Sequence, residues 1–419
     1  MILLSSTQEN TTYRGQLKVS VTAAGSARPV AGASIKISYT GVPESTLEEL
    51  STDSSGQSET VSLPAPPLEY SLDRNSENQP YSEYTIDVTA PGYEPVSIAG
   101  AEILPDVTAL QQIHLNPAQA GAEEVFVIPA HTLYGNYPPK IPEAEIKPMP
   151  DTGEIVLSRV VVPEYVVVHN GSPRDSTARN YYVRYKDYIK NVASSEIYAT
   201  WPANTIRANV LAIMSFTLNR VYTEWYRNQG YDFTITSSTA FDHKWIPERN
   251  VYDTISAIVD ELFASYLSRP NVRQPILTQY CDGRQVQCPD WMTQWGSKEL
   301  GDRGYSPIEI LRYYYGENMY INTAEEISGI PSSWPGYDLS EGSSGSKVRQ
   351  MQEQLNVIAD AYPAIPRIAA DGIFGPATAE AVRTFQSVFG LPVTGIVDYP
   401  TWYKISEIYV GVSRIAELT

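Results

Sequence analysis

Two groups of residues in this 419-residue chain combine a reactive type with an informative setting. Glu196 lies in the run Ser194-Ser195-Glu196-Ile197-Tyr198-Ala199-Thr200-Trp201, with apolar Ile197 and aromatic Tyr198 and Trp201 just downstream. Removing water from a carboxyl disfavours its charged form, so such neighbours would raise its pKa and let it hold a proton near neutral pH, as a general acid must. Cys281 and Cys288 flank Asp282-Gly283-Arg284-Gln285-Val286-Gln287, where Asp-Gly is a turn signal that could bring the sulfurs within bonding distance. A local disulfide is one reading and free thiols in a reducing compartment are another. Zinc is a third, although this pair alone leaves such a site two ligands short. His114 and His243 stand alone, and each reads as strand surface or hydrogen-bonded structure rather than as a ligand.

The elements that must position these residues follow from periodicity. From Asp187 to Tyr222, apolar residues recur at helical spacing on both sides of Trp201-Pro202, which predicts two consecutive helices with Glu196 near the end of the first. NVYDTISAIVDELFASYL reads as one amphipathic helix, and WMTQWGSKELGDRGYSPIEILRYYYG as two short ones around Gly301 and Gly304. With interspersed strands, residues 156–335 form an expected α+β domain.

Upstream, residues 14–117 alternate in short runs such as LKVSVTA, ASIKISY and YTIDVTA, separated by turns such as Asp53-Ser54-Ser55-Gly56-Gln57, a pattern that predicts an antiparallel β-sandwich with no catalytic constellation. Residues 118–155, with Pro138-Pro139, Pro142, Pro148 and Pro150, read as a partly extended connector lying along a neighbouring domain. Over residues 336–409 a three-helix bundle is expected. Ser346 caps a helix carrying Val348, Met351, Leu355 and Ile358 on one face, Thr378 opens a second with Ala381, Val382 and Phe385 inside, and a third runs from Tyr399 to Ile405 around Trp402.

Composition restricts the partners. A net charge of -18 and a pI near 4.7 oppose binding to nucleic acid or an anionic membrane. No run of about twenty apolar residues is present, so no transmembrane helix is expected. The start MILLSSTQENTTYRGQ lacks the basic region and cleavage pattern of a secretory signal. A trimmed leader, release by lysis or a secretion machine, and action inside a sporulating cell all stay open as routes to the wall. The 30 tyrosines suit stacking on sugars, although many belong to half-buried strands.

Three resemblances build on these motifs. The segment from Leu339 to Trp402, with Asp371-Gly372-Ile373-Phe374-Gly375-Pro376 at its centre, resembles the small peptidoglycan-binding module of bacterial wall enzymes. In that family a groove between the second and third helices takes the peptide stem, which implies that Asp371, Thr378, Arg383 and Gln386 lie near the ligand. DYIKNVASSEI and MTQWGSKELGDRGYSPIEILRYYYG resemble two ordered motifs of the stage II sporulation protein D and amidase-enhancer (LytB) family. Sporulation members of that family are lytic transglycosylases with a catalytic glutamate. The resemblance implies that Glu196 is the general acid/base and that Gln294 contacts substrate. A single carboxyl suffices for that reaction, because it protonates the departing glycosidic oxygen and then takes a proton from the sugar's own hydroxyl as an anhydro ring closes. This chain departs from the pattern at Asn204, Asn209, Met214 and Cys288, and YDFTITSSTAFDH lacks the cysteines that hold zinc in some members, so neither metal nor cofactor is expected. The N-terminal sandwich resembles the carboxypeptidase-regulatory or transthyretin-like fold, often a spacer on exported proteins.

Two functions follow from these readings: a cell-wall or spore-envelope enzyme that cleaves glycan through Glu196, or a non-catalytic peptidoglycan adaptor whose sandwich presents a protein partner.

Overall fold

The computed structural model describes residues 13–118, 123–148 and 157–413. The reading of the first residues and that of Pro150 in the connector lie outside this set. The N-terminal region contains strands β1 (Arg14–Ala23), β2 (Ser34–Tyr39), β3 (Val42–Ser51) and β4 (Val61–Pro64), a single helical turn α1 (Glu69–Leu72), then β5 (Ser82–Thr89), β6 (Val96–Ile103), β7 (Thr108–Leu115) and β8 (Glu124–Val127). One sheet runs β4-β1-β7 and the other β3-β2-β5-β6-β8. Alternation sends Leu17, Val19 and Val21 of β1 and Ile35 and Ile37 of β2 into the core, as period-two patterning requires. The turn at Asp53 forms where its composition places it: the Asp53 carboxylate accepts the N–H groups of Ser55 and Gln57, and Gly56 takes a φ of +69°.

Two pairings depart from the expected antiparallel order. β1 runs parallel to β7 over eight residue pairs, and β6 runs parallel to β8. Alternation fixes which face a residue occupies but not the direction of its neighbour, so both pairings were hidden in the sequence.

The central region contains β9 (Val161–Val162), β10 (Tyr165–His169), β11 (Asn180–Arg184), helices α2 (Tyr185–Glu196) and α3 (Ala203–Tyr222), β12 (Ile235–Thr236), β13 (Val251–Tyr252), α4 (Asp253–Leu262), β14 (Ser265–Ser268), β15 (Tyr280–Cys281), β16 (Met292–Thr293), α5 (Gln294–Asp302), α6 (Pro307–Tyr315), β17 (Tyr320–Thr323) and β18 (Glu326–Ile327). α2 and α3 are separated at Trp201-Pro202, since proline cannot donate into the preceding turn. Nearly all of α3 is buried, including its polar Asn209, Asn219 and Arg220, as befits a helix at the centre of a core. The segment read as one amphipathic helix is helical only from Asp253 to Leu262. Its flanks form β13, which joins the N-terminal sheet beside β7, and β14, which pairs with β17. Those strands exist because their partners satisfy the backbone, a long-range condition that local periodicity does not carry.

The C-terminal region folds as α7 (Ser346–Ala361), α8 (Pro376–Val388) and α9 (Tyr399–Ser413). Ser346 is the first helical residue of α7 rather than its cap, and α8 opens at Pro376, whose ring presets the helical φ. α9 continues beyond Ile405 to Ser413, with Ile408, Val410 and Val412 buried.

The regions are closely joined. The Arg249 guanidinium donates to the Glu102 carboxylate in the interior, and Asn250 exchanges hydrogen bonds with the Glu102 backbone. Lys186 lies between Asp260 at 3.2 Å and Glu407 of α9 at 2.6 Å, and the Tyr362 hydroxyl donates to the Ala27 carbonyl. Most buried apolar residues form one continuous core through all three regions, and Val167, Tyr226 and Phe233 form a second, small cluster.

Candidate functional site

Glu196 is the last residue of α2, where Ile197 turns to extended backbone and the chain leaves the helix. The side chain is 3% exposed. One carboxyl oxygen accepts the Lys244 backbone N–H at 2.7 Å, and the other accepts the Tyr280 hydroxyl from β15. Tyr280 is held in turn by a near-parallel stack on His243, with ring centroids 5.8 Å apart, and by the Lys140 ammonium 4.7 Å from its ring centroid. Lys140 donates to the Asp242 carbonyl at 2.6 Å. Burial raises the pKa of the Glu196 carboxyl above its ordinary value, against the opposing pull of Lys140 and of the two hydrogen bonds.

Glu196 faces a small cleft of about 50 Å³ lined by Thr132, Tyr137, Lys140, Tyr280, Val286 and Gln294, among others. The structure therefore places Glu196 and Gln294, chosen from separate motifs, around one space. Tyr198 and Trp201 are not part of the lining. They pack with Trp295, and Tyr198 stacks on His131. Tyr137 and Lys140 were missed because they come from the proline-rich connector. This segment wraps the end of α2: Thr132 N–H donates to the Ser195 carbonyl, Ile141 N–H to the Ala240 carbonyl, and the Glu143 carboxylate receives the Arg220 guanidinium through two bonds. Only the density of prolines, which forces an extended path, hinted at a packed strap.

The cysteines form a disulfide with Cα atoms 6.1 Å apart, closing a loop between the parallel strands β15 and β16 whose Asp282 carboxylate accepts the Gln285 and Val286 N–H groups. The N-terminal region grips this loop. Arg74 donates to the Gly283 carbonyl, and Arg284 donates back to the Ser76 carbonyl.

Positions that depart from the sporulation-protein motif have structural work. Asn209 bridges Thr205 and Ser297, Asn204 bonds the Tyr305 carbonyl, and Met214 is fully buried. His243 lies in the core with one ring nitrogen 3.1 Å from the Tyr188 hydroxyl, and His114 is 2.8 Å from the Thr22 hydroxyl. Among the described residues no cluster of three or more histidine, cysteine, aspartate or glutamate side chains has the geometry of a metal site.

In the C-terminal region the four residues expected near ligand divide into two kinds. Gln386 is 0% exposed, and its amide bonds Thr394, Gly395, Ile396 and Thr401. Thr378 is buried and receives the amide of Gln352. These two side chains bond inside the domain, where they hold the loops that follow α7 and α8. Arg383 and Asp371 remain at the surface, Arg383 pairing with Glu380 at 3.3 Å.

Residues 344–405 match the family model described as a putative peptidoglycan binding domain, which bears out the C-terminal domain read from the sequence. Over 77 residues the chain is 46% identical to the zinc D-Ala-D-Ala carboxypeptidase of Streptomyces albus G. That match takes in 18% of this chain and 28% of the carboxypeptidase, so the chain spans just over a quarter of this curated relative. Among solved structures, the SleB N-terminal domain is 30% identical over 18% of this chain and 99% of its own, with a TM-score of 0.16. The Bacillus anthracis TIE protein is 14% identical over 25% of this chain and 17% of its own, with a TM-score of 0.18. No helix among the described residues is long and apolar enough to cross a membrane.

Proposed function

We propose that this protein is a peptidoglycan adaptor of the bacterial wall or spore envelope, held there by its C-terminal domain, with the N-terminal and central regions docked rigidly beside that anchor. The observation that favours an adaptor over an enzyme is the state of Glu196. Both of its oxygens are already bonded inside the protein, and the adjoining space of about 50 Å³ is far smaller than the few hundred Å³ of an ordinary ligand pocket. The motif departures at Asn204, Asn209 and Met214, each occupied in packing, support the same reading.

A second reading, glycan cleavage, is supported by one specific feature: a carboxyl with a raised pKa shares a cleft with Gln294. In that reaction Glu196 would give its proton to the glycosidic oxygen and recover one from the sugar hydroxyl, and Tyr280 would have to release the carboxyl for substrate to reach it.

One experiment separates the two. Purified protein is incubated with intact and denuded sacculi, and both bound protein and released fragments are measured. The adaptor predicts co-sedimentation with no anhydro-muropeptide release, unchanged by Glu196→Gln. Release that Glu196→Gln abolishes would establish the enzyme instead, and failure to sediment with any wall preparation would remove both readings.

A further inference from the structure

One wall of the Glu196 cleft belongs to a loop closed by a covalent bond. Cys281, Asp282, Gln285 and Val286 line the cleft from the 281–288 loop, and Thr132, Tyr137 and Lys140 line it from the strap. The loop climbs from the interior to solvent: Cys281 is 8% exposed and Asp282 9%, whereas Val286 is half-buried and Gln285 exposed. Its inner end is joined directly to the carboxyl, because Cys281 follows Tyr280 in the two-residue strand β15 and the Tyr280 hydroxyl donates to Glu196.

The two limbs of the loop are held differently. The limb leaving β15 is tied to the rest of the fold: the Asp282 carbonyl accepts the Trp295 N–H at 3.2 Å, Arg74 donates to the Gly283 carbonyl, and Arg284 donates to the Ser76 carbonyl at 2.9 Å. Beyond Val286 such ties stop. Among the described residues, the hydrogen bonds of residues 287–291 run from the Gln287 amide to the Arg284 carbonyl at 3.3 Å and from the Trp291 N–H to the Pro289 carbonyl, both within the segment itself. Gln287, Pro289 and Asp290 are exposed. The returning limb is therefore fixed by the sulfur bridge to Cys281 until the chain pairs again at Met292. Cys288 is only partly buried, so a thiolate can approach its sulfur, whereas Cys281 is shielded.

We infer that the Cys281–Cys288 disulfide is a redox latch on the Glu196 cleft. Oxidised, it holds Gln285 and Val286 at the mouth; reduced by a dithiol, it frees the returning limb and opens the cleft to groups larger than its 50 Å³ admits. A thiolate of the dithiol attacks Cys288 Sγ, and Cys281 leaves as thiolate from the resulting mixed disulfide. The second thiolate of the reductant then attacks its partner sulfur and expels Cys288. Two electrons pass to the protein, the reductant departs as a cyclic disulfide, and the two cysteines take up the two protons that its thiols lose. The latch goes beyond both functional readings and requires neither, since it concerns access to Glu196 whatever the cleft receives.

The test uses the full chain, oxidised or reduced with dithiothreitol until both cysteines titrate as free thiols. Each form is treated with a water-soluble carbodiimide and an amine, and the coupled carboxyls are located by mass spectrometry. Glu196 should couple roughly tenfold faster in the reduced chain and in Cys288→Ser than in the oxidised chain, because removing the cross-link eases local opening. Exposed Glu353 should keep its rate, and re-oxidation should restore the protection of Glu196. Hydrogen exchange in α3 should stay slow in every form, as a local opening requires. Coupling of Glu196 at the oxidised rate in the fully reduced chain overturns the latch. So does faster coupling that comes only with fast exchange throughout α3, because the bridge would then support the fold rather than close the cleft. No wall material enters this assay, so its outcome stands apart from that of the sacculus experiment.

Discussion

The C-terminal domain and the Glu196 cleft are built in opposite ways. In the former each glutamine clamp joins residues close in sequence, Gln386 to Gly395 and Thr401, and Gln352 to Gly372 and Thr378. In the latter a single carboxyl brings together the end of α2, Lys244, Tyr280 and a strap carrying Tyr137 and Lys140 from some 60 residues upstream. A site made of neighbours can be carried as a module onto many chains. A site made of distant segments depends on the whole fold around it, and here that includes the N-terminal region, which holds the 281–288 loop through Arg74 and Arg284.

This contrast is open to disruption at both ends. The largest effect is expected at Arg220, whose fully buried guanidinium joins Glu143 of the strap to Asp242 beside the Lys244 segment. Arg220→Ala leaves two carboxylates without their main cation and should cost about 5 kcal/mol. Thermal unfolding would show the loss, and added muropeptide should restore little of it. Next comes Phe385→Ala, which empties the centre of the C-terminal domain where Phe385 packs on Phe389 at 4.6 Å between ring centroids. It should cost about 3 kcal/mol and remove retention on sacculi, while limited proteolysis of the upstream regions keeps its wild-type pattern. If wall retention survived this substitution, the modular half of the contrast would fail.

The smallest effect concerns pH. Because burial raises the folded-state pKa of Glu196, the folded protein binds that proton more tightly than the unfolded chain does. The contribution of Glu196 to stability is therefore full below the ordinary carboxyl range and is lost as pH rises through the folded value. The melting temperature of wild type minus that of Glu196→Gln should fall as pH increases from about 4 towards neutral. A difference that rose with pH would place the carboxyl in a setting that favours its charge.

The two regions also differed in how far the sequence revealed them. The apolar faces of α7 and α8, the turn glycines and the anchor Trp402 were legible because period and turn chemistry are local. The roles of Gln386 and Thr378 are less legible, since a polar side chain bonded inside a loop and one facing a ligand have the same letter. Glu196 and Gln294 were found through two motifs, but Tyr137, Lys140 and Tyr280 were not, because nothing in a proline-rich strap or a two-residue strand marks a partner far along the chain. The parallel pairings of β1 with β7 and β6 with β8 escaped for the same reason.

Sequence alone determined which faces would be buried and where proline and glycine would break the helices, because each depends on interactions within a few turns of backbone, and its motifs carried the resemblance to a peptidoglycan-binding domain that the family match over residues 344–405 bears out. Tertiary structure alone decided that the Glu196 carboxyl would be occupied by Tyr280 and Lys244, that a connector would become a wall of its cleft, and that two glutamines would clamp two loops. Those outcomes depend on closing long stretches of chain, and their free energy comes from burial and hydrogen bonds that exist only once the distant partners have met.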